Sequence, residues 1–331
     1  MGFLSEDRRL FRAKPKTGVK KGKLEVYDEE RGMDSQAAKE AHAKFKKTIP
    51  LFIGLATGFC GSFTSFSSFM RDVFFALENG LPSPVNHPYP TGATVSITST
   101  VPRNGGYSFM AVCAVIILTV ATCYSALKVG AHIAIFLHPV IPTLPYGFLR
   151  KFLDRLVVVV GFGTWIGAIV MAIWPPDRPG GPVSKGSWVN ETWRGQAIFA
   201  CAFAPVGCLL RFYISLKLNG LIPSFPLGTF TVNIFGTAVL GMAYDLQHIG
   251  LGGSGLAGGG LVPCQVLQGI MDGFCGCLTT VSTWIVELNG LRRGHSYRYG
   301  GASVLVGLGV LVAVMGSVRW SIGFVEPVCV V

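Results

Sequence analysis

Seven apolar runs set the class of fold open to this chain: about 49–76, 107–130, 154–174, 196–217, 227–246, 262–288 and 300–322. Each is near the roughly 20 residues that a helix needs to cross the hydrocarbon of a bilayer. No water reaches backbone N–H and C=O groups there, so such runs fold as helices. The expected class is an all-α membrane protein, a helical bundle of about seven spans. Composition agrees: 14% of the 331 residues are charged, against about a quarter in soluble domains. Segment 131–149, AHIAIFLHPVIPTLPYGFL, is also apolar. Its three prolines suit a re-entrant or interfacial stretch better than an eighth span.

Charge orients these spans. The formal net charge is +11, and 13 of the 28 Lys and Arg precede residue 51. They are not interleaved with aromatics, which argues against a nucleic-acid partner and for the positive-inside rule. Residues 1–48 are then a polar cytosolic segment. Alternating from there puts the connection 77–106 outside and Arg150, Lys151 and Arg155 inside. It puts 175–195 outside, Lys217 inside, the Gly-rich 250–260 loop outside, and Arg292, Arg293 and Arg298 inside. The tail 324–331 ends outside. The glycosylation sequon at Asn190 falls on the same outer side. Cys60, Cys113, Cys123, Cys201, Cys208, Cys275 and Cys277 lie within apolar runs and read as small packing residues. The histidines show no HxxxH or HExxH spacing, and no His/Asp/Glu or Cys/His constellation points to an enzyme.

One stretch inside the first span is expensive for hydrocarbon. GFCGSFTSFSSF, at 58–69, has two glycines and a run of hydroxyls, and it recurs as GFCGCLTTVSTW at 273–284. Six of the twelve positions are identical across an offset of 215 residues. The first copy lies on the first span and the second on the sixth, and those spans cross in opposite directions. The chain therefore carries an inverted repeat, a pattern that puts irregular helices at the membrane midplane. The third span, at 154–174, is the extra crossing that inverts the second half.

Gly61 and Gly276 permit a helix break, which the membrane tolerates only against protein or a wet cavity. Carbonyls freed around Gly61, Thr64, Gly276 and Thr279 are suited to a small cation. The hydroxyls of Ser65, Ser67, Ser68, Thr280, Ser282 and Thr283 are donors for an anion. Phe66 and Phe69, three residues apart, share a helix face and have positive ring edges. Asn233, mid-membrane in the fifth span, must pair or serve a polar path. Arg211, near the cytosolic end of the fourth, either snorkels or draws anions into a vestibule. Asp72 and Glu287 occupy corresponding positions in the two repeats and read as capping or pairing groups.

GCLLR (Gly207 to Arg211), GTFTVN (Gly228 to Asn233), GCLTTVSTW (Gly276 to Trp284) and the Tyr299–Ser303 pair together carry a family resemblance. Residues 196–323 resemble one complete four-helix unit of the Fluc/FEX (CrcB-like) fluoride channels. Residues 49–130 resemble the last two helices of a second, inverted unit, and 131–195 a linker holding the helix 154–174. The resemblance implies passive, selective export of fluoride across the plasma membrane, with the lipid bilayer and fluoride as partners. It implies a phenylalanine box at Phe66 and Phe69, a pore asparagine at Asn233, a polar track that includes Ser303, and a vestibule arginine at Arg211. It also implies a structural sodium ion on the carbonyls of Gly61, Thr64, Gly276 and Thr279, and a monomer where both units are present.

Two departures stand out. Val281 and Trp284 replace the box phenylalanines in the second copy, so a single pore is expected, from first-half phenylalanines and Asn233. The first two helices of the N-terminal unit have no counterpart, as in a truncated or divergent member with an open side. The rival reading is an ion-coupled secondary transporter of a small anion, which inverted repeats also serve.

Overall fold

The structure is a computed structural model that describes residues 49–81, 105–140, 145–175, 178, 194–250 and 257–329. The polar segment 1–48, most of the 77–106 connection, the Asn190 sequon and most of the 250–260 loop lie outside the described residues. Among those described, seven helices are long and apolar enough to cross a membrane. They are α1 (Pro50–Glu78), α2 (Gly105–Leu137), α3 (Leu149–Ile173), α4 (Ala197–Leu218), α5 (Leu227–His248), α6 (Leu261–Gly290) and α7 (Arg293–Ser321). The chain is an all-α, multi-pass membrane protein.

It divides into two compact units, Met1–Phe59 with His132–Gly163, and Cys60–Ala131 with Thr164–Val331. Described residues of the first include the stacked rings of Phe148 and Phe152, 5.5 Å apart. The second holds the core and every candidate site residue. At its centre is α5, which packs against α4, α6, α7 and the second half of α1. Small residues make this crowding feasible, as is usual between membrane helices. A methyl group on Gly228 would lie 2.7 Å from Ser215 Cα of α4, and one on Gly241 would lie 2.9 Å from Leu311 Cδ2 of α7. One on Gly236 would collide with Thr279 Cγ2 of α6. By contrast, α2 touches the core along a single helical stripe: Val112, Val115, Ile116, Val120, Cys123 and Leu127. Its other faces present exposed apolar side chains such as Phe109, Ile117 and Leu118, suited to lipid tails.

Two expectations about helix ends change. Helix α2 runs on to Leu137, so the first part of 131–149 continues a span and is not re-entrant. The helix stops ahead of Pro139, because the residue before a proline is pushed out of the α region. Helix α7 begins at Arg293, earlier than the apolar run at 300. Hydropathy marks the depth of the hydrocarbon, whereas a helix carries on through polar residues as long as its backbone is satisfied.

Two cysteines to which the sequence reading gave no role form a pair. Cys264, at the start of α6, forms a disulfide with Cys329. The tail is further held by Val325 N–H donating to His248 O at 2.9 Å and by Phe324 packing edge-on against Tyr244. The segment after α7 is thus tied to the ends of α5 and α6.

Gly207 tests the close packing of α4 on α6. A methyl there would collide with Phe274 O and lie 3.1 Å from Leu278 N, both backbone atoms that cannot swing aside. Gly207→Ala is expected to destabilise the protein by about 1–3 kcal/mol, read as a lower thermal midpoint in detergent. Gly167→Ala, in open space on α3, should be neutral or slightly stabilising.

Candidate functional site

The two repeat copies break in the same way. A π-helical stretch (Gly54–Phe59; Ile270–Cys275) leads into one short α turn (Cys60–Ser62; Gly276–Leu278). The backbone then opens, with Ser65 at φ −86, ψ 122 and Thr280 at φ −156, ψ 125. Helix resumes at Phe66 and at Val281. Restarting a helix leaves N–H groups without intrahelical acceptors, and each copy caps its own. Ser65 Oγ accepts from Ser68 N at 3.2 Å, and Thr280 Oγ1 from Thr283 N at 3.3 Å.

The breaks also complete each other. Ser282 N donates to Thr64 Oγ1 at 2.9 Å, and Ser67 N to Thr279 Oγ1 at 3.1 Å. These bonds are equivalent under the repeat, since Thr64 corresponds to Thr279 and Ser67 to Ser282. Val281 N adds a bond to Thr64 O at 2.9 Å. Thr279 Oγ1 is the more heavily used hydroxyl. It donates to Cys275 O at 2.9 Å and lies 3.1 Å from both Ser65 Oγ and Ser67 Oγ.

Asn233 secures the second break from α5. Thr280 N donates to its Oδ1 at 2.8 Å, and its Nδ2 donates to Thr280 O at 3.2 Å. The amide thus replaces the ladder partners that the break removes. One turn to either side on the same face are Thr229 and Thr237, both buried. Thr237 Oγ1 donates to Asn233 O at 2.7 Å. Thr229 Oγ1 donates to Glu287 Oε1 at 2.6 Å, and Tyr299 OH to Glu287 Oε2 at 2.7 Å. Asn219 completes this cluster, accepting from Thr229 N at 2.9 Å. Asn219 and Thr229 escaped the sequence reading; Thr229 sat inside the quoted GTFTVN, while Asn219 follows α4 with no motif to mark it. Asp72, the repeat counterpart of Glu287, instead lies 3.6 Å from Arg71 Nε.

Phe66 and Phe69 are both buried, 5.7 Å apart and edge to face. Trp284 of the other copy meets Phe66 at 5.6 Å, again edge to face, so the structure groups these three rings with Val281 in one core cluster. The Trp284 indole Nε1 is buried without a hydrogen-bond partner among the described residues. The hydroxyls named from sequence are mostly committed. Ser68 Oγ donates to Ser65 Oγ at 3.1 Å, and Thr280 Oγ1 to Thr283 Oγ1 at 3.2 Å. Ser282 Oγ donates to Cys60 O at 3.3 Å, and Ser303 Oγ to Tyr299 O at 2.8 Å.

Arg211 is placed differently from an open vestibule. Gly207, one turn earlier, lets α4 rest on the α6 backbone, and Arg211 on the same face is carried into the crossing, 2% exposed. Its Nη1 lies 3.5 Å from Thr279 O, and a methyl on Gly61 would be 2.8 Å from both Nη atoms. This bears on sodium. Of the four carbonyls expected to hold it, Thr64 O already accepts from Val281 N and Thr279 O faces the guanidinium. Two unit charges about 4 Å apart repel by about 4 kcal/mol at an effective dielectric near 20. With Arg211 here the carbonyl set does not fit a sodium ion, and no step below passes through one.

Broken helices locked break to break, with polar groups buried around them, follow the inverted-repeat pattern found among membrane transport proteins. The comparisons with known proteins narrow the class. A family model described as CrcB-like protein, Camphor Resistance (CrcB), matches residues 198–317. Fluoride export protein 1 of Neurospora crassa is 54% identical over all of this chain and 60% of its own length. Its counterpart in Candida albicans is 35% identical over 84% of this chain and 64% of its own. The fluoride-specific ion channel FluC of Pseudomonas paraeruginosa is 36% identical over 98% of its length, matching 39% of this chain. The chain belongs to the CrcB-like (FEX/Fluc) family. It spans about three-fifths of the length of the fungal relatives. No solved structure matches it.

The unequal load on the two threonines is testable. Thr279→Val should strand Ser67 N, buried, and is expected to cost about 1–3 kcal/mol of stability. Thr64→Val, which releases the part-buried Ser282 N, should cost less. Thermal unfolding of the two purified variants gives the order.

Proposed function

We propose that this protein exports fluoride by passive, selective permeation across the plasma membrane, protecting the cell from a toxic anion. The observation that carries the reading is the buried polar face of α5. Thr229, Asn233 and Thr237 run from the Glu287 cluster to the crossing from which Phe66 and Phe69 depart. Polar groups inside a membrane helix are expensive and mark ion paths. The names of the related fluoride exporters and channels support the choice of ion. No covalent step is needed: the membrane potential drives the anion out at about 2.3 kcal/mol per charge per 100 mV.

In this reading Phe66 and Phe69 offer ring edges to the desolvated ion, and Asn233 orients the break beside them. Because Ser68, Thr280, Ser282 and Ser303 spend their protons on protein acceptors, a passing anion must rotate them or use other donors. Trp284 Nε1, buried without a hydrogen-bond partner among the described residues, is a donor available to it. Residues 196–323 form one channel unit and 49–130 part of an inverted one. The N-terminus is cytosolic and the C-terminus extracellular, which the Cys264–Cys329 disulfide supports, since such bonds persist in oxidising compartments.

The test is fluoride efflux from liposomes holding the purified chain, with the potential set by potassium and an ionophore. Efflux should follow the potential without a proton or sodium gradient; a requirement for either would favour the coupled transporter. Phe66→Ile and Trp284→Phe are each expected to slow efflux on the order of tenfold, about 1.4 kcal/mol in barrier. Val281→Ile should leave it near the parent rate. Equal effects of Phe66→Ile and Val281→Ile would overturn a path lined mainly by the first copy.

A further inference from the structure

We infer that the guanidinium of Arg211 is the resident cation of the helix crossing, serving there as a bound monovalent metal otherwise would. Three observations carry this. Arg211 is a nearly fully buried cation, 2% exposed. It spans the two copies, packed on Gly61 of the first and facing Thr279 O of the second at 3.5 Å. Thr279 O is one of the four carbonyls that would otherwise face a small cation.

The physical reason lies in the helix ends. The short turns Cys60–Ser62 and Gly276–Leu278 both end at a break. The last carbonyls of a helix have no intrahelical donor and carry partial negative charge. Bringing two such ends together concentrates that charge in a medium that screens it weakly. A cation between them offsets the repulsion, and a buried cation in turn needs such oxygen dipoles. A guanidinium stays protonated under all ordinary conditions, so this counter-charge is covalently attached and always present. The glycine at position 61 leaves room for it: a methyl there would lie 2.8 Å from both Nη atoms and 3.0 Å from Cζ, so the guanidinium would have to shift. Gly207 serves it too, since its contact with the α6 backbone sets the height at which Arg211 enters.

The inference rests on the geometry of the crossing and not on which ion is transported, so it can fail while fluoride export stands, and the reverse. The experiment is sodium binding by the purified full chain, measured by equilibrium dialysis with radioactive sodium. It is paired with thermal unfolding in sodium chloride and in N-methyl-glucamine chloride at equal ionic strength. The parent protein is expected to retain no sodium above background and to unfold at the same midpoint in both salts. Arg211→Gln, which keeps a polar side chain but removes the charge, is expected to take up sodium and to unfold several degrees higher in sodium than in the organic salt. Sodium retained by the parent chain, or a sodium-specific rise in its midpoint, would overturn the proposal without any variant. So would a folded Arg211→Gln that binds no sodium and unfolds at the parent midpoint.

Discussion

The exchange of backbone N–H groups between Thr64 and Thr279 is the constraint from which the rest of the second unit follows. A membrane helix that opens in mid-span loses ladder bonds that hydrocarbon cannot replace. Two such openings satisfy each other when they are brought together: Ser282 N finds Thr64 Oγ1, and Ser67 N finds Thr279 Oγ1. Neither α1 nor α6 can be assembled alone at low cost. Their mutual completion explains why hydroxyls stand where leucines would be cheaper. Thr64, Ser65, Thr279 and Thr280 each accept a backbone N–H that the breaks leave without a ladder partner.

The close approach needed for that exchange sets the composition of the helices around it. Gly236 gives way to the Thr279 methyl and Gly207 to Phe274 O. Asn233 then reaches Thr280 with both ends of its amide. A longer side chain on either glycine would lift α5 or α4 away and leave the amide, the break and Arg211 without their partners. Small residues here supply access, and the polar residues one turn away use it.

Much of this was legible in the sequence, for identifiable reasons. Apolar length located all seven spans, because the bilayer imposes a length and the chain must meet it. The repeat GFCGSFTSFSSF/GFCGCLTTVSTW gave the pairing of α1 with α6, since duplicated breaks imply a shared solution. Helix ends were read less well. The end of α2 is set by proline sterics, and the start of α7 by backbone continuity, and hydropathy reports neither. The Cys264–Cys329 pairing was missed because one partner lies in a tail whose return path is set by ring packing against Tyr244 and a bond to His248. Arg211 was read as snorkelling at the cytosolic end or facing a vestibule there, because its sequence position suggests depth along the helix but not the direction of a long side chain. The close approach of its Nη atoms to Gly61 and the contact with Thr279 O show where that side chain ends.

Duplication also explains how the two copies came to differ in chemistry while sharing a backbone. The reciprocal bonds use main chain and threonine, so they fix both Thr64 and Thr279, the second under the heavier load, and leave the following helix faces free. On those faces the first copy presents Phe66 and Phe69, while the second presents Val281 and Trp284, and all four meet in one cluster. Where the repeat would mirror the bond from Val281 N to Thr64 O, Thr279 O faces Arg211 instead. The copies thus share the exchange of backbone bonds but differ at this carbonyl, on the following helix faces, and at their acidic residues, where Glu287 meets Thr229 and Tyr299 while Asp72 lies beside Arg71.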